Sequence, residues 1–551
     1  SRVIEKGTKN EFYTVNLFSD YSRQLGDHYF KVMGGFNAEH QNVRTLSAQR
    51  DGIIVPDLPT IDTSTEQDVA GGGYNHWATA GFFGRLNYNY KEKYLLEVNG
   101  RYDGTSRFMK DQRWNFFPSF SLGWNVAREN FWKPLESVVN QFKLRGSWGE
   151  LGNQNTSNLY PFYEILPVKS NSGNWLVNGG KTNTADIPSL VSTLLTWERV
   201  RSFNVGFDFG AFSNRLTGSF DYFVRKTVDM VGPAPQLPLV LGIAPAIVNN
   251  ADMKSYGFEI ELSWRDRIGE VDYGVKFNLA DAQQKVVKYP NTTNAFSDWY
   301  AGKMSGEIWG YTSLGIAKTD EEMKEHLASL PNGGQNQLGN KWGAGDIMYA
   351  DINGDGKVDG GKGTLADPGD QRIIGNSTPR YNFGLVLDAS YKGFDVSIFF
   401  QGVGKRDYAP IVGTNGAVFW GAVNNIWQSM AMEEHFDYFR PEGHPMGANL
   451  NGYYPRPDFT SNKNHQVQTR YLQDASYIRL KNLQIGYTLP KQWINKLHIN
   501  RCRVYVSGDN LWTGTSLASM FDPETLAAGD WGSGKTYPLS KVISFGLNVN
   551  F

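Results

Sequence analysis

Apolar and polar residues alternate one by one along many segments of this chain. In one segment Tyr256, Phe258, Ile260, Leu262 and Trp264 hold every second position, with charged and small residues between them. Successive side chains of a β-strand point to opposite faces, so such a segment predicts a strand with one apolar and one polar face. The predicted strands are fifteen, centred near 11–24, 28–41, 76–90, 93–105, 114–127, 141–150, 198–210, 214–229, 253–267, 270–285, 381–391, 394–406, 476–489, 500–512 and 540–551. Soluble sandwiches and membrane barrels both contain such strands, so the alternation alone leaves both folds open.

The connections between these strands alternate strictly between short and long. The short ones include LGD, KEK, FSN, RIG and KG, and two others, 128–140 and 490–499, leave room for a helical turn. The long ones are 42–75, 151–196, 230–252, 286–380 and 407–470. Short turns on one side and long loops on the other are typical of an outer-membrane barrel. The sequence therefore predicts an all-β, antiparallel transmembrane β-barrel with short periplasmic turns and long extracellular loops.

Composition favours the same fold class. The 551 residues include 33 Phe, 28 Tyr, 16 Trp and 60 Gly, yet no apolar run reaches the roughly 18 residues of a membrane helix. The 54 basic and 55 acidic residues balance, so no nucleic-acid partner is expected. A single cysteine, Cys502, excludes an internal disulfide. A sheet within a membrane must close into a barrel, because only then is every backbone group paired in the hydrocarbon. In such a barrel the apolar faces of the strands would meet lipid, and the polar faces would line a water-filled lumen.

The odd number of predicted strands bears on whether this chain can close a barrel by itself. The first and last strands would both run from the long-loop side to the short-turn side, whereas a single-chain bacterial barrel has an even number. Unpaired strand edges within a bilayer are costly. We therefore expect residues 1–551 to be the C-terminal portion of a larger protein whose remaining N-terminal part supplies further strands.

Several segments resemble one known family. They are FGRLNYNYKEKYLLEVNGRYDGTSRF, RWNFFPSFSLGWNVA, FKLRGSWGELGN, DINGDGKVD, DASYIRLKNLQIGYTLP and the final LSKVISFGLNVNF. Together, from about residue 80 to the end, they resemble the SusC/RagA-type TonB-dependent transporters of Bacteroidetes outer membranes. The resemblance implies a 22-stranded barrel with a plug, of which the plug, the TonB box and about seven N-terminal strands are absent from this chain.

The resemblance also implies a function. The protein would be an integral outer-membrane importer of an oligosaccharide or oligopeptide, not an enzyme, energised by TonB through the absent region and covered by a SusD-like lipoprotein. Phe551, with its alternating strand, would be the C-terminal signal for barrel assembly. A passive porin or surface receptor is one alternative, and a secreted β-rich carbohydrate-active enzyme is another. Paired acids such as Glu259 and Glu261 would suit a glycosidase, but on one strand they merely share the wet face.

The motif DINGDGKVD predicts a metal site. It matches the first nine positions of an EF-hand-type calcium loop, with Gly356 allowing the sharp turn. The twelfth position is Lys362 instead of Glu. The resemblance implies an Asp just before an IIG-like segment, and Asp370 precedes QRIIG, so Asp370 is the candidate for the remaining ligand and Asp367 is the second choice. The candidate ligands are Asp351, Asn353, Asp355, the Lys357 carbonyl, Asp359 and Asp370. A structural Ca2+ would order the loop 286–380, and a metal-free turn rich in Gly and Asx residues is the alternative.

Aromatic residues are frequent in the predicted external loops. Flat rings beside polar groups can stack on sugar rings or grip peptide side chains, although long loops also need aromatic residues to pack against one another. The candidates for contact with substrate or lipoprotein are Trp175, Trp299, Tyr300, Trp309, Trp420, Trp427, Tyr453 and Tyr454. The apolar stretch 237–248 would pack under the lipoprotein or over the pore, or alternatively within the loops themselves.

Overall fold

Fifteen strands form one antiparallel sheet in which neighbours in the chain are neighbours in space. The computed structural model describes residues 2–156, 158–232, 240, 242–243, 246–410, 417–421, 432–458, 462–494, 498–526 and 536–551. The strands are β1 (Arg2–Leu25), β2 (His28–Asp51), β3 (Asp68–Tyr90), β4 (Tyr94–Thr105), β5 (Trp114–Asn125), β6 (Val139–Asn153), β7 (Glu198–Ala211), β8 (Leu216–Gly232), β9 (Val248–Ile268), β10 (Val271–Lys288), β11 (Arg380–Tyr391), β12 (Phe394–Lys405), β13 (Tyr477–Thr488), β14 (Arg501–Thr515) and β15 (Val542–Asn550). All fifteen predicted strands are therefore confirmed.

The first three strands are longer than the sequence predicts. β2 and β3 continue through much of the expected loop 42–75, pairing from His28 opposite Tyr90 to Arg50 opposite Asp68. Their upper parts carry little alternation, because a strand that leaves the membrane has water on both faces and needs no apolar side. The predicted long loop is thus wrong in its bounds, and residues 52–67 connect the two strands.

Short turns close the other ends of the strands. Lys91 and Glu92 have φ of 52° and 53°, and Lys392 and Gly393 have φ of 47° and 92°. Positive φ at both central positions is typical of a two-residue turn such as Lys392–Gly393, whose twist matches that of the paired strands, and Lys91 and Glu92 adopt the same conformation in the three-residue turn 91–93. The two longer turns contain helix, as expected, at Val126–Arg128, Asn130–Leu135 and Lys491–Ile494.

Contacts across the strands confirm one polar and one apolar face. On the polar face, Asn87 donates to Glu97 at 2.5 Å, and Arg85 to Asn99 at 2.6 Å. On the apolar face, the rings of Phe36 and Phe82 lie 5.1 Å apart, and those of Phe207 and Phe220 lie 5.6 Å apart. Phe82 is nevertheless 56% exposed, since nothing but lipid would cover this face in a membrane barrel.

A β-bulge in β13 keeps polar residues on the polar face. Lys481 is an extra residue opposite the pair Phe399–Phe400 of β12. Because of it, Arg479 before the bulge and Gln484 after it both face the polar side, where Arg479 donates to Thr513 and Arg503 donates to Gln484. Without the extra residue, one of the two would turn towards lipid.

Smaller elements occupy the joins. They are the helices Lys110–Gln112, Asp320–Ala328, Ala417–Trp420 and Glu433–Phe436, and the paired short strands Val168–Lys169 with Thr184–Ala185, Leu176–Val177 with Gly180–Lys181, Glu307–Gly310 with Arg372–Asn376, Ser313–Ile316 with Ile347–Tyr349, and Asp407–Tyr408 with Gln473–Asp474. Thr319 caps Asp320–Ala328 by accepting from the Glu322 amide at 3.1 Å. Within the described residues, no helix has both the length and the apolar character needed to cross a membrane.

β1 and β15 are the two outer strands of the sheet. Within the described residues, β1 pairs with β2 and β15 pairs with β14, and the two outer strands do not pair with each other. That further strands complete the wall stays a prediction.

Candidate functional site

The long loops pack together at one end of the sheet. Their buried residues come from 289–379, 406–476 and 516–541 and form one hydrophobic core. The members are Tyr311, Leu330, Ile347, Tyr349, Val358, Val418, Phe419, Trp420, Tyr454, Tyr471, Ala475, Leu517, Phe521 and Leu526. Several rings meet edge to face, as Trp420 and Tyr471 do at 4.8 Å. The described parts of these segments therefore form a folded unit, which we call the loop core.

A buried ion cluster joins the two largest loops within the loop core. Asp346 and Lys463 are 0% and 1% exposed, and the Lys463 ammonium lies 2.9 Å from the Asp346 carboxylate. Arg456 donates to both oxygens of the same carboxylate at 2.8 and 2.7 Å, and the Asn464 amide donates at 2.9 Å. A buried charge is tolerated only when partners replace its water, so these residues fix how the loops meet.

Sequence reasoning missed this cluster. Asp346 stands between Gly345 and the buried Ile347, and Lys463 is 117 residues away in another loop. A charged residue among apolar neighbours is a weak signal for a buried pair, and nothing in a single sequence shows which distant cation will meet it. The partnership is visible only once the loops are folded.

The structure brings Asp370 to the calcium-like motif, as predicted. Its carboxylate accepts from the amides of Ile352 at 2.7 Å and Asp359 at 2.8 Å, and it is fully buried. Burial raises the pKa of Asp370 above the usual range of a carboxyl group. Asp367, the second choice, lies in a separate turn where its amide donates to Thr364 at 3.1 Å. Asp370 is thus the residue that closes the motif.

Several other oxygens of the motif already form hydrogen bonds or ion pairs within the loop. Asp351 accepts from the amides of Gly354 and Gly356 at 2.7 and 2.8 Å, and the Lys357 ammonium lies 2.5 Å from Asp359. The same ammonium is 3.9 Å from Asp355, so these two carboxylates already attract a cation. Hard oxygen donors of this kind suit Ca2+. Among the described residues, no three His, Cys, Asp or Glu side chains form a metal-holding group, and calcium stays a prediction.

The predicted aromatic residues divide into exposed and buried sets. Trp175 and Trp299 are 60% and 40% exposed, so their faces are accessible to a ligand. Trp420 and Tyr454 are 0% and 2% exposed and belong to the loop core, which is the alternative role stated for loop aromatics. Trp427 lies outside the described residues, as do parts of the apolar stretch 237–248.

The remaining three candidates are partly buried. Trp309 stacks on Phe296 with ring centres 4.6 Å apart, and Gln473 donates to the Tyr453 hydroxyl at 2.9 Å. Tyr300 donates to Glu307 at 2.6 Å, and burial together with this bond raises the pKa of Tyr300 to about 12. Tyr300 therefore stays protonated at physiological pH and serves as a hydrogen-bond donor.

The polar face below the loops carries ion pairs between strands. Arg145 on β6 donates to Asp208 at 3.1 Å and to Asp221 at 2.5 Å. Arg503 on β14 likewise bridges to Asp395 on β12. Matched charges allow a polar wall to face an interior without net repulsion.

Comparison with known proteins identifies the family. Residues 4–511 match the family model described as "TonB dependent receptor-like, beta-barrel". "TonB-dependent receptor P3" of Formosa agariphila is 28% identical over 98% of this chain and 52% of the relative. "TonB-dependent receptor SusC" of Bacteroides thetaiotaomicron is 24% identical over 98% of this chain and 50% of the relative. The chain spans about half the length of these curated relatives.

A solved structure agrees in fold. The structure titled "Structure of the RagAB peptide transporter" aligns with 100% of this chain and 56% of that chain, with a TM-score of 0.78 and 21% identity. The fifteen-stranded sheet thus shares its fold with part of that chain. The chain belongs to the TonB-dependent receptor β-barrel family, and it is an integral protein of the outer membrane.

Proposed function

We propose that the protein containing this chain imports an oligosaccharide or oligopeptide across the outer membrane, driven by TonB and assisted by a SusD-like surface lipoprotein. The observation that carries the proposal is the family match over residues 4–511. Two names support it: one relative is called SusC, and one protein of the same fold is called a peptide transporter. Transport requires no covalent chemistry of the chain, so no catalytic residue is assigned.

The arrangement of the loops supports the proposal physically. A ligand captured outside needs a rim that keeps its shape, and the loop core supplies one through burial and the Asp346 cluster. Exposed rings such as Trp175 and Trp299 provide apolar area beside polar groups, which suits sugars and peptide side chains alike. The polar wall then offers a wet route towards the periplasm.

Uptake by intact cells tests this function. Cells carrying the full-length protein should accumulate a labelled oligosaccharide or oligopeptide, and an uncoupler of the proton-motive force should abolish uptake, because TonB needs that force. Uptake that survives the uncoupler would favour a passive porin instead. Mass spectrometry of the detergent-purified protein should identify a co-purified lipoprotein and ligand, and purification of the protein alone would count against the partner.

The exposed tryptophans provide a residue-level test. Trp175→Ala and Trp299→Ala should each weaken ligand binding several-fold, by about 1 kcal/mol for a lost stacking contact. Trp493→Ala is the matched control, since Trp493 is 63% exposed but lies in the short join after β13. Calorimetry with the identified ligand measures the effect. Equal affinities for all three variants would remove these rings from the binding site.

We also propose that Ca2+ binds at Asp351, Asn353, Asp355, the Lys357 carbonyl, Asp359 and Asp370, and orders the loop that carries them. Support comes from the oxygen-rich donor set and from Asp370 reaching the motif. Elemental analysis after dialysis against Ca2+ should find the metal in the wild type but not in Asp351→Ala/Asp355→Ala. The double variant Glu321→Gln/Glu325→Gln, on the helix of the same loop, should keep it. Equal metal contents in all three proteins would reject the site.

A further inference from the structure

Four basic residues stand side by side on four adjacent strands. Across β7, β8, β9 and β10, Arg201 lies opposite Lys226, Lys226 opposite Lys254, and Lys254 opposite Lys285. Neighbouring strands are about 4.8 Å apart, so these positions form a continuous row. We call Lys226, Lys254 and Lys285 the lysine row.

The row lies on the apolar face of the sheet. Six residues from each of these positions, in the direction of the short turns, Phe207 pairs with Phe220, Phe220 with Ile260, and Ile260 with Leu279. An even separation along a strand preserves the face. The lysine row therefore belongs to the wall that meets lipid, not to the polar interior.

The row also lies at one border of the membrane. From Ala211, at the short-turn end of β7, to Arg201 there are ten residues, or about 33 Å of strand. With strands tilted by roughly 40°, this corresponds to about 25 Å across the bilayer, which is the height of the apolar band of such barrels. Tyr256 lies two residues from Lys254 in the direction of the short turns, and the Lys254 ammonium lies 5.1 Å from the centre of the Tyr256 ring. Aromatic residues are typical of this border of a membrane protein. The row is thus at the extracellular interface.

Among the described residues, the acidic groups near the lysine row pair with other cations. Glu150, beside Arg201, already pairs with Arg201 at 2.7 Å and with Arg199 at 3.1 Å. Within the part of the chain that the structure describes, no carboxylate forms an ion pair with any member of the row. Lys226 and Lys285 are exposed and Lys254 is half-buried. Like charges directly opposite each other on a sheet are destabilising, so the row favours an external anion.

We propose that the lysine row binds the phosphate groups of a phosphorylated glycolipid in the outer leaflet of the membrane. Ammonium groups bind phosphate as point charges, and clustered basic residues at a membrane surface select anionic lipids. The acyl chains would lie on the apolar rows directly below, where Val224 and Tyr256 pair. Charge and position therefore match a lipid with an anionic head and an apolar tail, which a free phosphate ion does not have.

Lipid retention by the full-length protein tests the proposal. The protein is purified from the outer membrane, delipidated in detergent and titrated with diphosphoryl lipid A, monophosphoryl lipid A or inorganic phosphate, with bound ligand counted by native mass spectrometry. Lys226→Gln/Lys254→Gln/Lys285→Gln should weaken diphosphoryl lipid A binding about a hundredfold, at roughly fivefold per lysine. The wild type should bind the monophosphoryl form more weakly and inorganic phosphate hardly at all.

A matched variant separates this effect from a general loss of charge. Lys143→Gln/Arg225→Gln/Lys276→Gln removes as many cations from the polar face, opposite Asp208, Ser202 and Ser263. It should bind the lipid like the wild type, and both variants should keep the heat-modifiable mobility of a folded barrel. Equal weakening in the two variants, unchanged binding in the lysine-row variant, or binding of inorganic phosphate as tight as that of the lipid would each overturn the proposal.

Discussion

Ile260 and Glu259 are neighbours in β9 with opposite surroundings. Ile260 pairs with Phe220 and Leu279 on the apolar face, whereas Glu259 pairs with Asp221 and Ala280 and is exposed on the polar face. Ile260→Arg should destabilise the membrane form by about 2–4 kcal/mol, because an arginine at the bilayer centre loses its water. Glu259→Gln should assemble normally. The outer-membrane fraction of each variant measures the effect, and equal tolerance would contradict the assigned faces.

At the scale of single residues, the alternation of apolar and polar residues was sufficient to predict on which face of the sheet each strand side chain lies. It was not sufficient to predict accessibility in the loops, where Trp175 is exposed and Trp420 is buried although both occur in similar glycine-containing and apolar surroundings. Strand periodicity is a local property set by backbone geometry. Burial of a loop side chain depends on which distant segment covers it.

Among the elements, the short turns show how a local conformation limits substitution. Gly269 and Gly393 both have positive φ, of 61° and 92°. A Cβ on Gly269 would meet nothing within 4 Å, whereas one on Gly393 would lie 2.8 Å from the Thr488 carbonyl oxygen. Gly269→Ala should cost about 1–2 kcal/mol through left-handed strain alone, and Gly393→Ala should cost more because the backbone must also move. Urea unfolding in detergent compares them, and a larger effect at Gly269 would refute this explanation.

The strands themselves were predictable as elements, but their lengths and bulges were not. β2 and β3 extend beyond the alternating pattern, and the bulge at Lys481 changes the parity of β13 without any glycine or proline to mark it. Pairing partners decide both features. A strand continues as long as its neighbour supplies hydrogen bonds, whether or not its side chains alternate.

For the molecule as a whole, the loop core should behave as one unit. Asp346→Asn would remove the nearest carboxylate from the buried ammonium of Lys463 and leave that of Asp458 at 3.8 Å. This should destabilise the loop core by about 3 kcal/mol while the strands remain folded. Limited proteolysis should then cleave 289–379 and 406–476 together. Glu270→Gln is the control, since Glu270 and its partner Lys392 are 61% and 59% exposed in two neighbouring short turns, and it should change little. Cleavage of only one loop would show that the two are independent.

The sequence by itself determined the fifteen strands, their two faces and the alternation of short and long joins. These features follow from the geometry of an extended backbone and from contrasts between neighbouring residues, so a linear pattern records them. Only the tertiary structure decided the Asp346 cluster, the burial of Trp420 and the alignment of Lys226, Lys254 and Lys285. Each of these depends on register or packing between segments far apart in the chain, and the free energy that selects such contacts is shared among many residues rather than carried by any local pattern.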